Sequence, residues 1–220
     1  MKKLYFALLV FMVAFGFGLL LSCISSGGGG GDDDTADDDA GDDNDDNDRI
    51  NGVPDEVNDF LDPEDLAKLE DAGMQIYPGD NPPNIEGSYL VDSQVIVYDE
   101  IGMEGDPVAN YIQTYYDQKS DGSIKNSYEA IGIDDTATGL GAFISGDKDC
   151  FSVYVRVDGS ADGCNYASPI IYSGCLADEG IEGFSLGLIM KSKQGDNCDA
   201  LMPEGAARII KEQDGLAARQ

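Results

Sequence analysis

Residues 183–187 (GFSLG) match G-x-S-x-G, the motif in which serine hydrolases place their nucleophile. That chemistry needs a strand-to-helix turn around the serine and a histidine elsewhere, and the chain contains no His. The same absence excludes Ser-His-Asp and Cys-His catalysis, zinc sites built on histidine, and imidazole acid–base steps. Because apolar residues alternate through this stretch, we interpret it as part of a β-strand and not as a nucleophile.

Paired carboxylates could serve as the two acids of a glycosidase, and the candidate pairs are Asp134 with Asp135 and Asp147 with Asp149. The chain has 43 acidic and 13 basic residues, a net charge of −30, so neighbouring acids also arise by chance. Turn and surface roles are therefore favoured.

Residues 139–141 (GLG) are too short for a dinucleotide-binding motif. We expect no catalytic residue, cofactor or metal, and the charge argues against nucleic acid as a partner.

The first 22 residues have the pattern of a secretory signal. A basic start, Met1 to Lys3, precedes an uncharged apolar stretch over residues 4–21, and Cys23 follows at its end. Residues 20–23 (LLSC) resemble the lipobox of bacterial lipoproteins. The resemblance implies cleavage before Cys23, diacylglycerol on its thiol and an acyl chain on its amine. Ile24, in place of a retention Asp, favours the outer membrane. The alternative is an uncleaved transmembrane helix.

Residues 23–54 are predicted to be a disordered tether between the lipid anchor and a folded domain. Five consecutive glycines over 27–31 precede residues 32–48, which hold eleven aspartates and no basic residue. Neither stretch can bury apolar area. The Asp/Asn spacing over residues 42–55 also suggests a calcium loop, but Gly52 does not fit the EF-hand spacing, and a solvated charge run is favoured.

Residues 55–75 are predicted to form a short helical lead-in. Asp62 is a good N-cap, and Pro63 suits the first helical position. Leu61 and Leu66 are spaced as a hydrophobic staple, and Gly73 is expected to end the helix in the left-handed conformation. A helix this short must dock on the domain that follows in order to persist.

Residues 76–220 are predicted to form a mainly β domain, an antiparallel up-and-down barrel of eight or nine strands. Short β-rich runs recur with turn residues between them, and no helix separates them. The alternation is clearest over residues 152–157 and 184–190. The predicted strands are 88–91, 94–98, 108–117, 123–133, 138–145, 150–157, 168–176, 184–191 and 207–211.

Four cysteines remain in this domain after Cys23, and an even number in an exported domain predicts two disulfides. If the strands alternate in direction, Cys150 and Cys175 lie at one end of the barrel, with Cys164 and Cys198 in loops at the other. The pairs Cys150–Cys175 and Cys164–Cys198 are therefore favoured over the other two connectivities. The spacings contain no C-x₂-C pair, so a metal site is disfavoured.

Residues 79–89 (GDNPPNIEGSY) and 201–205 (LMPEG) carry a further resemblance. Together they resemble a family of uncharacterised bacterial lipoproteins with a lipocalin-like β-barrel domain. Residues 87–89 occupy the place of the lipocalin G-x-W signature, with Tyr89 in place of Trp. The resemblance implies a fold and an envelope location, and it implies no activity.

Two functional hypotheses remain open. The first is a non-catalytic binding module that holds a small apolar or amphipathic ligand at the barrel mouth, for which small interior residues such as Gly139, Gly141 and Gly187 would make room. The second is a structural or interaction lipoprotein with a solidly packed barrel and no ligand. In both, the membrane is contacted through the lipid anchor. Tyrosines could stack on a sugar or line a pocket, although Tyr is also a common strand residue: Tyr111, Tyr115, Tyr116, Tyr154, Tyr166 and Tyr172.

Overall fold

In a computed structural model, residues 52–132, 136–138, 142–161 and 163–220 are described. Cys23, most of the tether, Asp134, Asp135 and residues 139–141 lie outside them. Within the described ranges, no helix is long and apolar enough to span a membrane. These residues form two 3₁₀ turns, Asp55–Asp59 and Cys198–Ala200, one α-helix and fifteen strands. The helix α1 is Pro63–Asp71, and the strands are β1 Asp80–Asn81, β2 Gly87–Val91, β3 Gln94–Asp99, β4 Tyr111–Tyr116, β5 Ser123–Ala130, β6 Thr136–Thr138, β7 Ala142–Asp147, β8 Cys150–Val155, β9 Asp158–Ala161, β10 Cys164–Ala167, β11 Ile170–Ala177, β12 Gly180–Ile189, β13 Ser192–Gly195, β14 Ala207–Glu212 and β15 Leu216–Arg219.

Antiparallel pairing closes the sheet into an eight-stranded barrel. Its order is β7, β8, β11, β12, β15, β2, β4 and β5, and the pairing of β5 with β7 completes the ring. Each strand neighbours the barrel strand that precedes it in the chain, as in an up-and-down barrel. The fold class predicted from the sequence is therefore confirmed.

Two neighbouring strands of the barrel wall are interrupted at the same level. β14 and β15 both run antiparallel to β12. β3 pairs with β14 and β2 pairs with β15, and the second pairing continues the first in nearly the same register. Thus residues 87–99 and 207–219 each act as one long strand with a break. The breaks lie at Asp92–Ser93 and at residues 213–215, and the amide of Gln213 donates to the carbonyl of Ser93 at 3.2 Å.

A second sheet of three strands forms where the sequence predicted loops. β10 pairs with both β9 and β13, so residues 158–167 and 192–195 build a small antiparallel layer. Its strands are short and polar, which is why the hydrophobic pattern gave no sign of them.

The alternation of β8 and β12 places their apolar residues inside the barrel, as predicted. Val153 and Val155 face the interior, whereas Tyr154 between them packs outside against the lead-in segment. One expectation is wrong: Gly187 does not line the interior of the barrel. A Cβ atom built there would lie 2.3 Å from Met74 Sδ and 3.2 Å from Leu69 Cδ2, both outside the barrel.

The helix α1 begins and ends as the sequence predicted. Asp62 is the N-cap, its side chain and that of Asp65 form a capping box, and Gly73 follows the helix with φ of +95°. Leu66 and Leu69 are buried against the outer face of β8, β11, β12 and β14. Lys191 Nζ, on the barrel, lies 2.5 Å from Oδ2 of Asp62 and 2.5 Å from Oδ2 of Asp65. These ion pairs attach the start of the helix to the barrel.

Two disulfides join Cys150 to Cys175 and Cys164 to Cys198, the pairing favoured by the sequence. The first links directly paired residues of β8 and β11. The second ties the small sheet to a 3₁₀ turn at Cys198–Ala200. Each bridge closes a loop of the unfolded chain, which stabilises the fold by about 2–4 kcal/mol.

Candidate functional site

The interior of the barrel contains a row of polar side chains on β4 and β5. Tyr111, Gln113 and Tyr115 alternate along β4 and are buried, and Asn126 and Tyr128 face them from β5. Gln113 lies directly opposite Tyr128, and Tyr115 directly opposite Asn126. Side chains on such opposed positions have Cβ atoms about 5 Å apart. We call these five residues the polar band.

Several atoms of the polar band have no hydrogen-bond partner among the residues that the structure describes. They are both amide atoms of Gln113, the Tyr111 and Tyr115 hydroxyls, and Asn126 Oδ1. Gln113 is fully buried, at 0% exposure. An unpartnered buried polar group costs about 1–3 kcal/mol, so natural interiors rarely leave one. A group of them on one inner face is therefore a candidate place for a ligand or for buried waters.

Three phenols of the barrel interior, Tyr111, Tyr115 and Tyr172, have raised pKa values and remain protonated at physiological pH. Burial raises the pKa of Tyr111 and Tyr115 well above their usual range, and the neighbouring Tyr172 raises both further. Burial likewise raises the pKa of Tyr172. These hydroxyls are therefore neutral groups that can donate and accept hydrogen bonds.

Next to the polar band, aromatic rings fill the barrel. Tyr115 packs edge-on against Phe151 and Tyr172, with 6.4 Å between ring centroids in each pair. Tyr172 in turn contacts Phe184 at 6.0 Å, and Tyr89 lies 6.2 Å from Tyr115. Such tilted and edge-on pairs are favourable geometries. The interior thus combines an apolar aromatic wall with unpartnered polar atoms.

Glu212 brings a carboxyl group to the same interior. Its side chain is 8% exposed and lies on the face of β14 shared with Ile210, which packs in the barrel core. Oε1 accepts the Asp92 amide at 3.0 Å, and Oε2 is buried without a partner among the described residues. Burial, together with the carboxylates of Asp214 and Asp92, raises the pKa of Glu212 to about 8, although the hydrogen bond from the Asp92 amide lowers it.

The motif at residues 183–187 lies within the antiparallel strand β12, which confirms the interpretation that it is part of a β-strand. Ser185 is buried in register with Ser173 on β11, so it does not stand at a strand-to-helix turn. Asp147 and Asp149 are exposed around the β7–β8 turn, where Lys148 lies 3.8 Å from Asp147. Neither group forms a constellation for catalysis.

The six tyrosines singled out in the sequence take different positions. Tyr111, Tyr115 and Tyr172 face the interior, whereas Tyr154 is buried under the lead-in segment and hydrogen-bonds Ser145 at 3.0 Å. Tyr166 is buried on β10, and Tyr116 is half-buried beside Lys125. Sequence reasoning missed Gln113, Asn126 and Glu212. Their signal was a polar residue at an inward position of an alternating strand.

One groove opens on the surface between the lead-in segment and the β4–β5 turn. It has a volume of about 580 Å³, and its lining includes Glu56, Asp80, Asn84, Lys119 and Asp121. The Asp121 side chain is engaged by Ser123, whose amide and hydroxyl both donate to it. The groove is open, and most of its charged lining residues are acidic.

No family model, curated protein or solved structure matches this chain.

Proposed function

We propose that this chain is a lipid-anchored protein of the cell envelope whose barrel binds a small amphipathic molecule without catalysis. The observation that carries this proposal is Gln113, which is fully buried with neither amide atom hydrogen-bonded within the described residues. A glutamine amide offers two donors and an acceptor side by side. A ligand that presents the complementary groups would therefore be held in a fixed orientation.

The neighbourhood of Gln113 indicates the chemical class of the ligand. The hydroxyls of Tyr111 and Tyr115 and the carbonyl of Asn126 add further hydrogen-bonding groups. The rings of Tyr115 and Tyr172 supply apolar faces. Binding sites for small molecules commonly combine apolar walls with a few placed polar groups. The ligand is therefore a compact molecule with one polar edge and one apolar or aromatic face.

The location of the protein is proposed from its N-terminal sequence. Cleavage before Cys23 and acylation there would provide several acyl chains, and two or more anchor a protein stably in a membrane. Ile24 favours the outer membrane. The acidic residues 32–48 would keep the barrel away from an anionic lipid surface by like-charge repulsion.

A second candidate, a display protein with a packed barrel, is supported by the aromatic interior. The contacts among Tyr115, Phe151, Tyr172 and Phe184 fill one part of the barrel with interlocking rings. In that account, the polar band would be hydrogen-bonded only by internal waters. Buried waters commonly satisfy buried polar groups in this way.

Native mass spectrometry of the mature chain, purified from its own host in mild detergent, tests the proposal. We expect a bound small molecule on the wild-type protein and on the matched exposed variant Gln194→Leu. We expect its loss from Gln113→Leu, which keeps the side-chain volume and removes the amide. Absence of any adduct from the folded wild-type protein would contradict the proposal and favour the packed display protein.

A further inference from the structure

Three carboxylates converge where the two wall strands are broken. Asp92 lies in the β2–β3 break, Glu212 ends β14, and Asp214 lies in the β14–β15 break. One carboxylate oxygen from each residue lies within 4.8 Å of the other two. The backbone fixes this arrangement, because the Asp92 amide donates to Glu212 Oε1 at 3.0 Å and the Leu216 amide donates to Asp214 Oδ1 at 3.3 Å.

Glu212 supplies a second and independent indication of a ligand. It is 8% exposed, and its Oε2 atom is buried with no hydrogen-bond partner in the part of the chain that the structure describes. The charged groups that act on its carboxyl are Asp92 and Asp214, which are both acidic. Such a carboxyl group is costly to ionise, so in the folded protein it either keeps its proton or has a cation beside it.

Three other acids of the barrel wall and the lead-in segment have a basic side chain as partner, which Glu212 lacks among the described residues. Asp99 is fully buried and is paired with Arg208, which donates to it. Asp65 on α1 is half-buried and lies 2.5 Å from Lys191. Glu100 is held by Lys68 at 2.8 Å. These three acids have a basic side chain of the protein as their counter-charge. Glu212 is buried without one among the residues that the structure describes.

The spacing and the ligand types indicate which cation fits. Ca²⁺ binds oxygen ligands at 2.3–2.6 Å, so two oxygens on one ion lie up to about 5 Å apart. Softer metals prefer nitrogen or sulfur ligands. The chain has no histidine, and its four cysteines in the barrel domain are paired in disulfides. Asp214 is exposed, so an ion and its remaining waters can reach the site from solvent.

We propose that Asp92, Glu212 and Asp214 bind one Ca²⁺ ion, which bridges the two interrupted strands of the barrel wall. The ion would join the β2–β3 break to the β14–β15 break, where the backbone link is the hydrogen bond from Gln213 to Ser93. Binding through three carboxylates at a partly open site corresponds to dissociation constants of about 10⁻⁴–10⁻³ M, the range of extracellular calcium modules. The proposal is independent of any ligand inside the barrel.

Thermal unfolding of the full mature chain at pH 7.5 with chelator, 10 mM Ca²⁺ or 10 mM Mg²⁺ tests the site. We expect Ca²⁺ to raise the Tm of the wild-type protein by about 3–10 °C. Mg²⁺ should raise it less, because Mg²⁺ demands a near-ideal octahedral set and dehydrates reluctantly. The aspartates of residues 32–48 also attract Ca²⁺, so matched variants must separate the two regions.

Two variants remove the site, and one serves as a control. Asp214→Asn removes an exposed ligand, and Glu212→Gln replaces the buried carboxyl by a neutral group of the same shape. We expect both to lose at least three quarters of the calcium-dependent shift. Glu182→Gln, an exposed site on β12, should keep the full shift. Equal shifts in all three variants, an equal response to Mg²⁺, or no shift in the folded wild-type protein would each overturn the proposal.

Discussion

Arg208 on β14 donates a hydrogen bond to Asp99 on β3, and this ion pair is buried between two strands that are 109 residues apart in the chain. The side chain of Asp99 is 0% exposed and that of Arg208 is 4% exposed. Arg208 also lies 3.2 Å from Met103 Sδ through Nη2. The pair therefore fixes the register of β3 on β14 at one end of the interrupted wall strands.

Breaking this pair on one side is expected to destabilise the barrel strongly. Asp99→Asn leaves the Arg208 charge buried without its counter-charge, which costs about 3–5 kcal/mol of unfolding free energy. Chemical denaturation of the purified chain measures the loss. Asp158→Asn is the matched control, since its exposed ion pair with Arg156 is worth about 0–1 kcal/mol. A similar, small loss for both variants would contradict the role assigned to the buried pair.

Adding a side chain at Gly187 is expected to displace the lead-in segment. Gly187→Val pushes into Met74 and Leu69, so we expect a loss of about 1–3 kcal/mol from overpacking. Combining it with Met74→Ala makes room, and the double variant should lose less than the sum of the two single losses. Ser192→Val, at an exposed position, should change stability by less than about 0.5 kcal/mol. Strict additivity of the two changes would contradict the contact.

The stability of the calcium-free protein is expected to fall as pH rises from 6 to 8. Burial raises the pKa of Glu212 to about 8 in the folded state, so the folded protein holds a proton that the unfolded chain has lost. Stability then decreases with pH by up to about 1.4 kcal/mol per unit, and the slope ends above the folded pKa. The chain has no His, so few other groups titrate in this window.

Denaturation curves at pH 6, 7, 8 and 9 in chelator measure this slope. Glu212→Gln should remove it, because the amide mimics the protonated carboxyl at every pH. Glu182→Gln should retain it, since Glu182 is exposed. An unchanged slope in Glu212→Gln would show that another group carries the pH dependence.

Acylation at Cys23 is expected to determine how the protein partitions. Cys23→Ala should leave an unprocessed precursor or a soluble product, whereas the neighbouring Ser25→Ala should be processed and enter the detergent phase like the wild-type protein. Intact mass and detergent-phase partitioning measure both. If Cys23→Ala still partitions into detergent at the processed mass, the lipoprotein proposal is wrong.

The alternation of apolar residues predicted the barrel, because a strand with one face in the core must repeat every two residues. Asp62, Pro63 and Gly73 likewise predicted the helix, since capping is decided by neighbours in the chain. These features depend on local chemistry. Cys150 and Cys175 could be paired from strand direction alone, because adjacent strands of a meander return to the same end.

Other features depend on which distant residues meet, and the sequence does not contain that information in local form. The two strand breaks at Asp92 and Asp214 lie 122 positions apart. The sequence predicts strands 88–91, 94–98 and 207–211 beside them and gives no sign that the two breaks meet. The expectation that Gly187 lines the interior is wrong, and the alternation of Phe184, Leu186 and Leu188 already puts position 187 on the opposite face. Its contacts there with Met74 and Leu69 depend on residues distant in the chain. The unpartnered state of Gln113 could not be predicted at all, since it depends on every neighbour of the amide.

A high-resolution crystal structure of the mature protein, purified from its own host without refolding, tests the central claim most directly. The account predicts density for a small organic molecule inside the barrel, hydrogen-bonded to Nε2 and Oε1 of Gln113 and in contact with the ring of Tyr115. Density for ordered waters alone at Gln113, or a Gln113 amide fully hydrogen-bonded to other residues of this chain, would contradict it.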